Sequence, residues 1–439
     1  MSAWQKVRIG DICKITSSKR IYASDYKDKG VPFYRSKEII EKQKGCTEVF
    51  TKLFISEKKY GKIKNKFGVP EAGDLLLTSV GTLGIPYIVK QGERFYFKDG
   101  NLTWFREFEG ISSEFLYYWL LSSLGRAELK RCTIGASQPA FTIAFLVNMN
   151  IILPSLKSQS RISGILSAYD DLIENNLRRI KILEEMAQAL YREWFVHFRF
   201  PGHEKVRLVD SSLGQIPEGW EAKNIGSLLS GHIGGGWGKK EIDDKHSCHA
   251  YVIRGTDIPQ VSFMEIGSCP SRYHTESNLR SRRLRSGDII YEVSGGGKET
   301  PVGRVLMITE NVLNTFHGDV ICASFCKRMT PNSDAINPLI LFYHLEALHK
   351  SERIEQYQVQ STGIKNLKFS VLLENEFIAT PPLDIQKYFE SYVNPIIEEK
   401  EILSLQNVLL GKTRDLLLPK LISGELDVSD LEIAISEEA

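Results

Sequence analysis

Ordered echoes between its two halves constrain this chain more than any single motif. The opening MSAWQKVRIG places Trp4, Ile9 and Gly10 at the spacing of Trp220, Ile225 and Gly226 in SLGQIPEGWEAKNIG. Arg35 and Ile39 of YRSKEI align with Arg254 and Ile258 of VIRGTDI, and Gly73 and Asp74 align with Gly287 and Asp288. FLYYWL, from Phe115 to Leu120, matches ILFYHL, from Ile340 to Leu345; Gly135, Phe141 and Pro154 match Gly363, Phe369 and Pro382. The offset drifts only from about 214 to about 228, so order and spacing are both kept. One unit written twice is the economical reading, each copy long enough to bury its own core.

Within each copy, short apolar runs bounded by Gly, Pro and Asp predict strands: VPFYR, DLLLTSV and MNIILP in the first, AYVIRG, DIIYEVS and EFIATPP in the second. Apolar residues at helical spacing predict a helix over about 113–131 and another over about 338–358. A long helix follows each copy. Ile162, Leu166, Tyr169, Ile173, Asn176, Ile180, Leu183, Ala187, Leu190 and Trp194 alternate gaps of four and three, a heptad seam. A shift of about 227 gives Phe389, Val393, Ile396, Lys400, Leu403, Asn407, Leu410, Arg414, Leu417 and Leu421, a poorer seam. Pro395 is expected to kink or restart the second helix.

A helix of about forty residues, roughly 60 Å long, cannot bury such a seam on one small domain, so the two helices are expected to pair antiparallel. Asn176 and Asn407 would then set register; the alternative is that both are solvated. The expected fold class is α+β: two mixed α/β domains in a tandem repeat, separated by two long antiparallel coiled-coil helices. The boundaries read are 1–155 and 201–382 for the domains, 156–200 and 383–424 for the helices, and 425–439 for an acidic tail.

Apolar residues at 42% and charged residues at 25% are ordinary globular values, which argues against disorder and fibres. The first residues form no charged-then-apolar leader and no run of eighteen apolar residues occurs, so a cytoplasmic protein without membrane contact is expected. Seven scattered cysteines fit reduced thiols. Net charge is only +2, but its distribution is uneven: seventeen Lys or Arg against seven acids over Met1–Lys66, and six acids with no base over the last sixteen residues.

The helix entry PSLKSQSRISGILSAYDDLIENN, the second opening LGQIPEGWE and the ending LLLPKLISGEL together resemble the specificity subunit of type I restriction-modification systems. The resemblance covers essentially the whole chain, and the two helical segments are its most specific parts. It implies two target-recognition domains, each reading one half of a split, asymmetric site in double-stranded DNA, with the helices fixing the gap. It also implies two modification subunits that use S-adenosylmethionine to methylate adenine N6. Restriction subunits would use ATP and Mg for translocation and cleavage, so no cofactor is expected on this chain. The first copy departs from the pattern in having only SAW, Ser2 to Trp4, in place of IPEGW, and the second seam carries Lys400 and Arg414.

What the chain lacks agrees with a non-catalytic subunit. The one Pro-Pro pair, in ATPPLD, lacks the preceding Asn or Asp and the following aromatic residue of an adenine methyltransferase. GHIGGGWGKKE lacks the upstream glycine and the Ser or Thr of a phosphate-binding loop. HSCH, with Cys269, Cys322 and Cys326, has no zinc spacing, and no metal site is expected. A catalytic motif that escapes these patterns, in a stand-alone methyltransferase or nuclease, and a helical protein-binding scaffold remain the alternatives.

Candidate DNA contacts come from basic, aromatic and polar residues at matching places of the repeat. The segment Thr16–Lys29 supplies Lys19, Arg20 and Tyr22; its counterpart supplies Trp237, Lys239 and Lys240, with glycines that permit close approach. Arg35 and Arg254 end the first strong strands and are candidates for paired hydrogen bonds to guanine, with Lys37 and Thr256 beside them. Two loop pairs add Ser79 and Thr82 against Ser294 and Lys298, and Ser137 and Gln138 against Gln360 and Lys365. Arg272 and Arg283 complete the set as candidate phosphate contacts.

Overall fold

The computed structural model describes residues 4–43, 49–134, 139–295, 302–361 and 364–431. They form two compact units, 1–174 with 410–439, and 175–409, so each unit takes part of both long helices.

The repeat predicted from sparse echoes is a repeat of topology. In the first unit, strands Lys14–Thr16, Leu102–Arg106, Leu75–Thr78 and Pro86–Ile88 lie side by side in that order, all antiparallel. In the second unit, Leu229–Gly234, Cys326–Pro331, Ile289–Glu292 and Val305–Met307 repeat the order and the directions. A parallel pair also recurs: Val31–Tyr34 with Tyr96–Phe97, and Cys248–Ile253 with Asp319–Cys322. The first strand of each copy closes on the last, Gln5–Arg8 on Asn150–Leu153 and Glu221–Asn224 on Phe377–Thr380.

The Gly-Asp echo has a local cause. Gly73 and Gly287 sit at φ of 87° and 90°, a conformation that favours glycine, in the turn entering the central strand. Asp74 accepts the Glu71 backbone N–H at 2.9 Å, and Asp288 accepts that of Arg285 at 2.8 Å, so both turns are closed by the same side-chain bond.

The first long helix, Leu156–Tyr191, ends in a π-helical turn over Arg192–Val196. The second runs unbroken over Leu383–Ser423. The restart expected at Pro395 does not occur; packing of Phe389, Val393 and Leu403, all buried, outweighs the roughly 3 kcal/mol propensity penalty of an interior proline. Every seam residue named above is buried or half-buried.

Within the second unit, Asn176 Nδ2 donates to Asn407 Oδ1 at 2.9 Å, Arg179 pairs with Glu399, and Lys400 with Glu184 at 2.7 Å. Within the first, Arg414 pairs with Asp170, and Arg161 donates to the Val428 carbonyl at 3.2 Å. Rising numbers on one helix meet falling numbers on the other, so the helices are antiparallel. The two charged seam positions, Lys400 and Arg414, thus carry ion pairs.

A buried glutamine anchors each long helix. Gln159 accepts the Ser112 N–H at 2.9 Å and donates to the carbonyls of Gly110 and Pro154, each at 3.0 Å. Gln386 accepts the Asn337 N–H at 2.6 Å and donates to Ala335 at 3.3 Å and Pro381 at 2.8 Å. Ser112 and Asn337 cap the domain helices Ser113–Leu121 and Pro338–Lys350, so each glutamine ties a long helix to a domain helix of its own unit.

Trp4 and Trp220, the first echo noticed, each pack on a helix end. Trp4 lies where a Cβ on Gly424 would come within 3.0–3.3 Å of its ring, so the position that ends the second helix at φ 77° has no room for a side chain. Trp220 packs against Phe195, Phe198 and Phe200 after the first helix.

Candidate functional site

The polar loops paired through the repeat become neighbours inside each unit. In the first, Val80 bridges Ala140, and the Phe141 N–H donates to the Ser79 carbonyl at 3.1 Å, bringing the loop after Thr78 beside Ala140 and Phe141. In the second, Ser294–Gly295 pairs with Ile364–Leu367, which pairs with Gln358–Ser361. That small sheet sets Gly295 and Gln360 on either side of Lys365, and Ser294 Oγ donates to Asn366 Oδ1 at 2.6 Å. Gln360 is exposed and Lys365 half-exposed. Ser137, Gln138 and Lys298 lie outside the described residues.

Ser79 does not face solvent. It is 3% exposed, its hydroxyl shares a 2.7 Å hydrogen bond with Thr103, and it belongs to the sheet interior; the expectation of a base contact is corrected to a structural role. Thr82, two residues past the bridge, is exposed.

Arg35 and Arg254 are both held by an acid three residues on. The Arg35 backbone N–H donates to Glu38 Oε2 at 2.8 Å and its Nη2 to Oε1 at 2.7 Å. The Arg254 N–H donates to Asp257 Oδ2 at 3.0 Å; its Nε and Nη2 donate to the same carboxylate at 2.8 and 2.7 Å, and Ser268 adds two more acceptors. Glu38 and Asp257 are each 1% exposed. Burial alone would lift Asp257, but the hydrogen bonds and charge of Arg254 bring it below the ordinary aspartate value. The Nε–Nη2 edge of each guanidinium is engaged by these carboxylates, so a paired contact to guanine through that edge requires an exchange of partners. Lys37 and Thr256 are exposed beside these turns, Lys37 with a loose 3.7 Å pairing to Glu41.

Two glycines of GGGWG, Gly235 and Gly238, serve packing inside the protein. A Cβ on Gly235 would meet the carbonyls of Ala323 and Cys322 within 2.2 Å, and one on Gly238 would meet His274 at 2.6 Å. Packing therefore accounts for the absence of a side chain at Gly235 and Gly238. The loop still presents Trp237, 44% exposed with Arg272 stacked 5.0 Å from its ring centre, and exposed Lys239 and Lys240. Lys239 is paired with Asp243 at 2.6 Å, and that lysine together with His246 holds the Asp243 carboxyl well below its usual range. In the counterpart segment, Lys19 lies 5.3 Å over the Phe67 ring, Arg20 pairs with Asp99 at 2.7 Å, and Tyr22 is exposed. Arg283 is paired with Asp319.

No group of three or more His, Cys, Asp or Glu side chains among the described residues is arranged to hold a metal. Burial pushes the thiols of Cys13, Cys269 and Cys322 up to about 12, which makes them core residues at neutral pH. No described helix is long and apolar enough to cross a membrane.

A duplicated domain, paired helices and polar loops gathered at matching places invite comparison with known proteins. The family model described as the type I restriction modification DNA specificity domain matches residues 1–185. The type I restriction enzyme MjaIX specificity subunit of Methanocaldococcus jannaschii is 29% identical over 381 residues, 82% of this chain and 79% of that protein. The MjaVIII specificity subunit of the same organism is 24% identical over 98% of this chain and 94% of its own length. Over most of its length the chain is thus similar to type I restriction-modification specificity subunits. A crystal structure of such an S subunit from M. genitalium, 14% identical, superposes with a TM-score of 0.55 over 95% of this chain and 96% of that one, so the fold is that of a specificity subunit throughout.

Inspection of the sequence missed Gln159 and Gln386, although they stand at the same shift of about 227 as the seam. It also missed the acids Glu38 and Asp257, which sit at equal distance from the echoed arginines and complete an Arg-x-x-acid signal.

Proposed function

We propose that this specificity subunit recognises double-stranded DNA, each unit reading one half of a bipartite, asymmetric site. The observation that carries this is the gathering, inside each unit, of segments far apart in sequence at equivalent places: residues 79–80 with 140–141, and 294–295 with 364–367 and 358–361. Repeated sheets keep those places fixed while the loop sequences differ, which is what two different half-sites require.

The chain supplies no chemistry in this reading. Two modification subunits methylate adenine N6 with S-adenosylmethionine, and restriction subunits use ATP and Mg to translocate and cut. Apolar side chains left exposed on the long helices support a protein partner there: Leu172 and Leu416 in the first unit, Ile182, Met186, Ile402 and Leu409 in the second. The helices set the length of the unread gap, so inserting whole turns changes the gap and leaves both half-sites alone. Such a complex works on chromosomal DNA in the cytoplasm.

The test is to map adenine methylation across the genome with and without this gene, the rest of its system intact. Loss at a single split motif is the expected result. Methylation lost at no motif, in cells whose modification subunits are active, would reject it.

A further inference from the structure

We propose, on the reading above, that the helix following the strand that pairs antiparallel with the first member of each parallel pair is the phosphate-contact element of its unit, with Lys58, Lys62 and Lys66 as its anchors in the first unit and Arg280, together with Arg272 of the preceding strand, in the second. Both helices occupy one place in the repeat. Glu57–Phe67 follows strand Phe54–Ile55 and is capped by Ser56; Glu276–Arg282 follows strand Ser271–His274 and is capped by Thr275.

The first helix, EKKYGKIKNKF, carries five lysines and one acid. Glu57 is taken by Arg94, and Lys59 by Asp25 at 3.1 Å. Lys58, Lys62 and Lys66 stand four residues apart on one face, a rise of about 6 Å between neighbours. All three are exposed, and no described acid lies within ion-pair distance of them. Like charges at this spacing destabilise a helix, and Gly61 within it has nothing within 4 Å of a Cβ position, so packing does not demand that weak helix former. This helix therefore carries an uncompensated row of positive charge that nothing in its own unit uses. A row of anions at similar spacing relieves that repulsion, and the backbone of a nucleic-acid strand is such a row.

At its end, Phe67 is 42% exposed with Lys66 and Lys19 5.4 and 5.3 Å from its ring centre. The ring holds both ammonium groups in place without neutralising them, as a carboxylate would. The second unit repeats the device with different residues. Arg272 is held by the Trp237 ring, and Arg280 is exposed with no described acid in range. Their neighbours are spent: Arg282 donates to the Gly234 carbonyl at 3.0 Å, and Arg283 is neutralised by Asp319.

The experiment measures binding of the full chain, assembled with its modification subunits, to a duplex carrying the methylation motif and to a scrambled duplex across a salt series. The triple variant K58Q/K62Q/K66Q should lower the slope of log affinity against log salt by about three, and R272Q/R280Q by about two. Both should weaken the two duplexes alike, on the order of tenfold or more near physiological salt. Lys59→Gln and Arg283→Gln, whose charges are already paired, should leave the slope within about half a unit of the parent. Unchanged slopes in the first two variants, equal drops in the controls, or a loss confined to the motif duplex would each overturn the assignment. Failure of the parent complex to bind either duplex would instead remove the proposed function on which it rests. Thermal melting no lower than the parent's, with a slight rise expected for the triple lysine variant as its like-charge repulsion is removed, shows that folding is intact.

Discussion

The two units share a scaffold and differ in what they bury. At the position where the first unit has Trp119, 3% exposed, the second has His344; where the first has Met149, the second has Glu376. The carbonyls of Met149 and Glu376 take the N–H groups of Ile9 and Ile225, at 2.8 and 3.0 Å, so the positions are equivalent. Glu376 accepts from His344 Nε2 at 3.0 Å, Arg353 Nη2 at 2.6 Å and the Tyr357 hydroxyl at 2.8 Å, and His344 Nδ1 lies 2.9 Å from the Tyr191 hydroxyl on the first long helix. A second substitution follows the same trend: buried Thr78 is answered by buried Glu292, with Arg304 at 3.2 Å. One backbone plan thus accommodates an apolar and an ionic interior, because the sheets are set by hydrogen bonds that do not depend on which side chain fills the space.

The largest effect that could break this comparison is Glu376→Ala. It leaves His344 and Tyr357 without their shared acceptor and should cost the second unit about 3 kcal/mol or more. Hydrogen exchange should show protection falling in residues 175–409 and holding in the first unit; equal loss in both would end the distinction. Burial would raise the Glu376 carboxyl, but the bonds and charges of His344, Tyr357 and Arg353 hold it below the ordinary value of 4.5. Its stabilisation is complete above that value and is lost as pH falls through the lower folded one. The acid limb of second-unit stability should therefore flatten in the variant.

Gln159→Ala and Gln386→Ala sharpen the comparison from the other side. Each removes a side chain that satisfies three backbone groups, and each should destabilise its own unit by about 1–3 kcal/mol. Similar values measured by denaturant unfolding would mark the anchor as common to both copies, and a twofold disparity would show that the copies no longer use it alike. A smaller change is expected for Asn176→Leu, about 1 kcal/mol of lost stability, because one polar contact in the seam is exchanged for an apolar group facing Asn407. An increase in melting temperature on that substitution would argue that Asn176 serves register at the expense of stability.

The elements legible in the sequence are those with a period or an echo. The seams were readable because a helix must repeat its apolar residues every three or four positions, and the domains because Gly-Asp turns and strand runs recur. Gln159 and Gln386 were not readable: a side chain that bonds to backbone leaves no periodic trace. The same holds for the Arg35 and Arg254 turns, where the charge is visible in the sequence and marks a candidate base contact, but its pairing with Glu38 or Asp257 is not. The lysines of Glu57–Phe67 contributed to a regional excess of base without standing out, since only structure separates Lys59, which has Asp25, from Lys58, which has no described acid.

The division of each long helix between the units imposes an order of assembly during synthesis. The core of the second unit is drawn from one continuous stretch, with Ala187, Tyr191 and Phe389 among its residues. The core of the first needs Leu421, Ile422 and Val428, which a ribosome adds more than two hundred residues after Ile162 and Leu166. The domain translated first is thus the one completed last, and until then it presents Ile162 and Leu166 without their final cover. A premature stop after Leu409 would accordingly damage the beginning of the protein more than its middle.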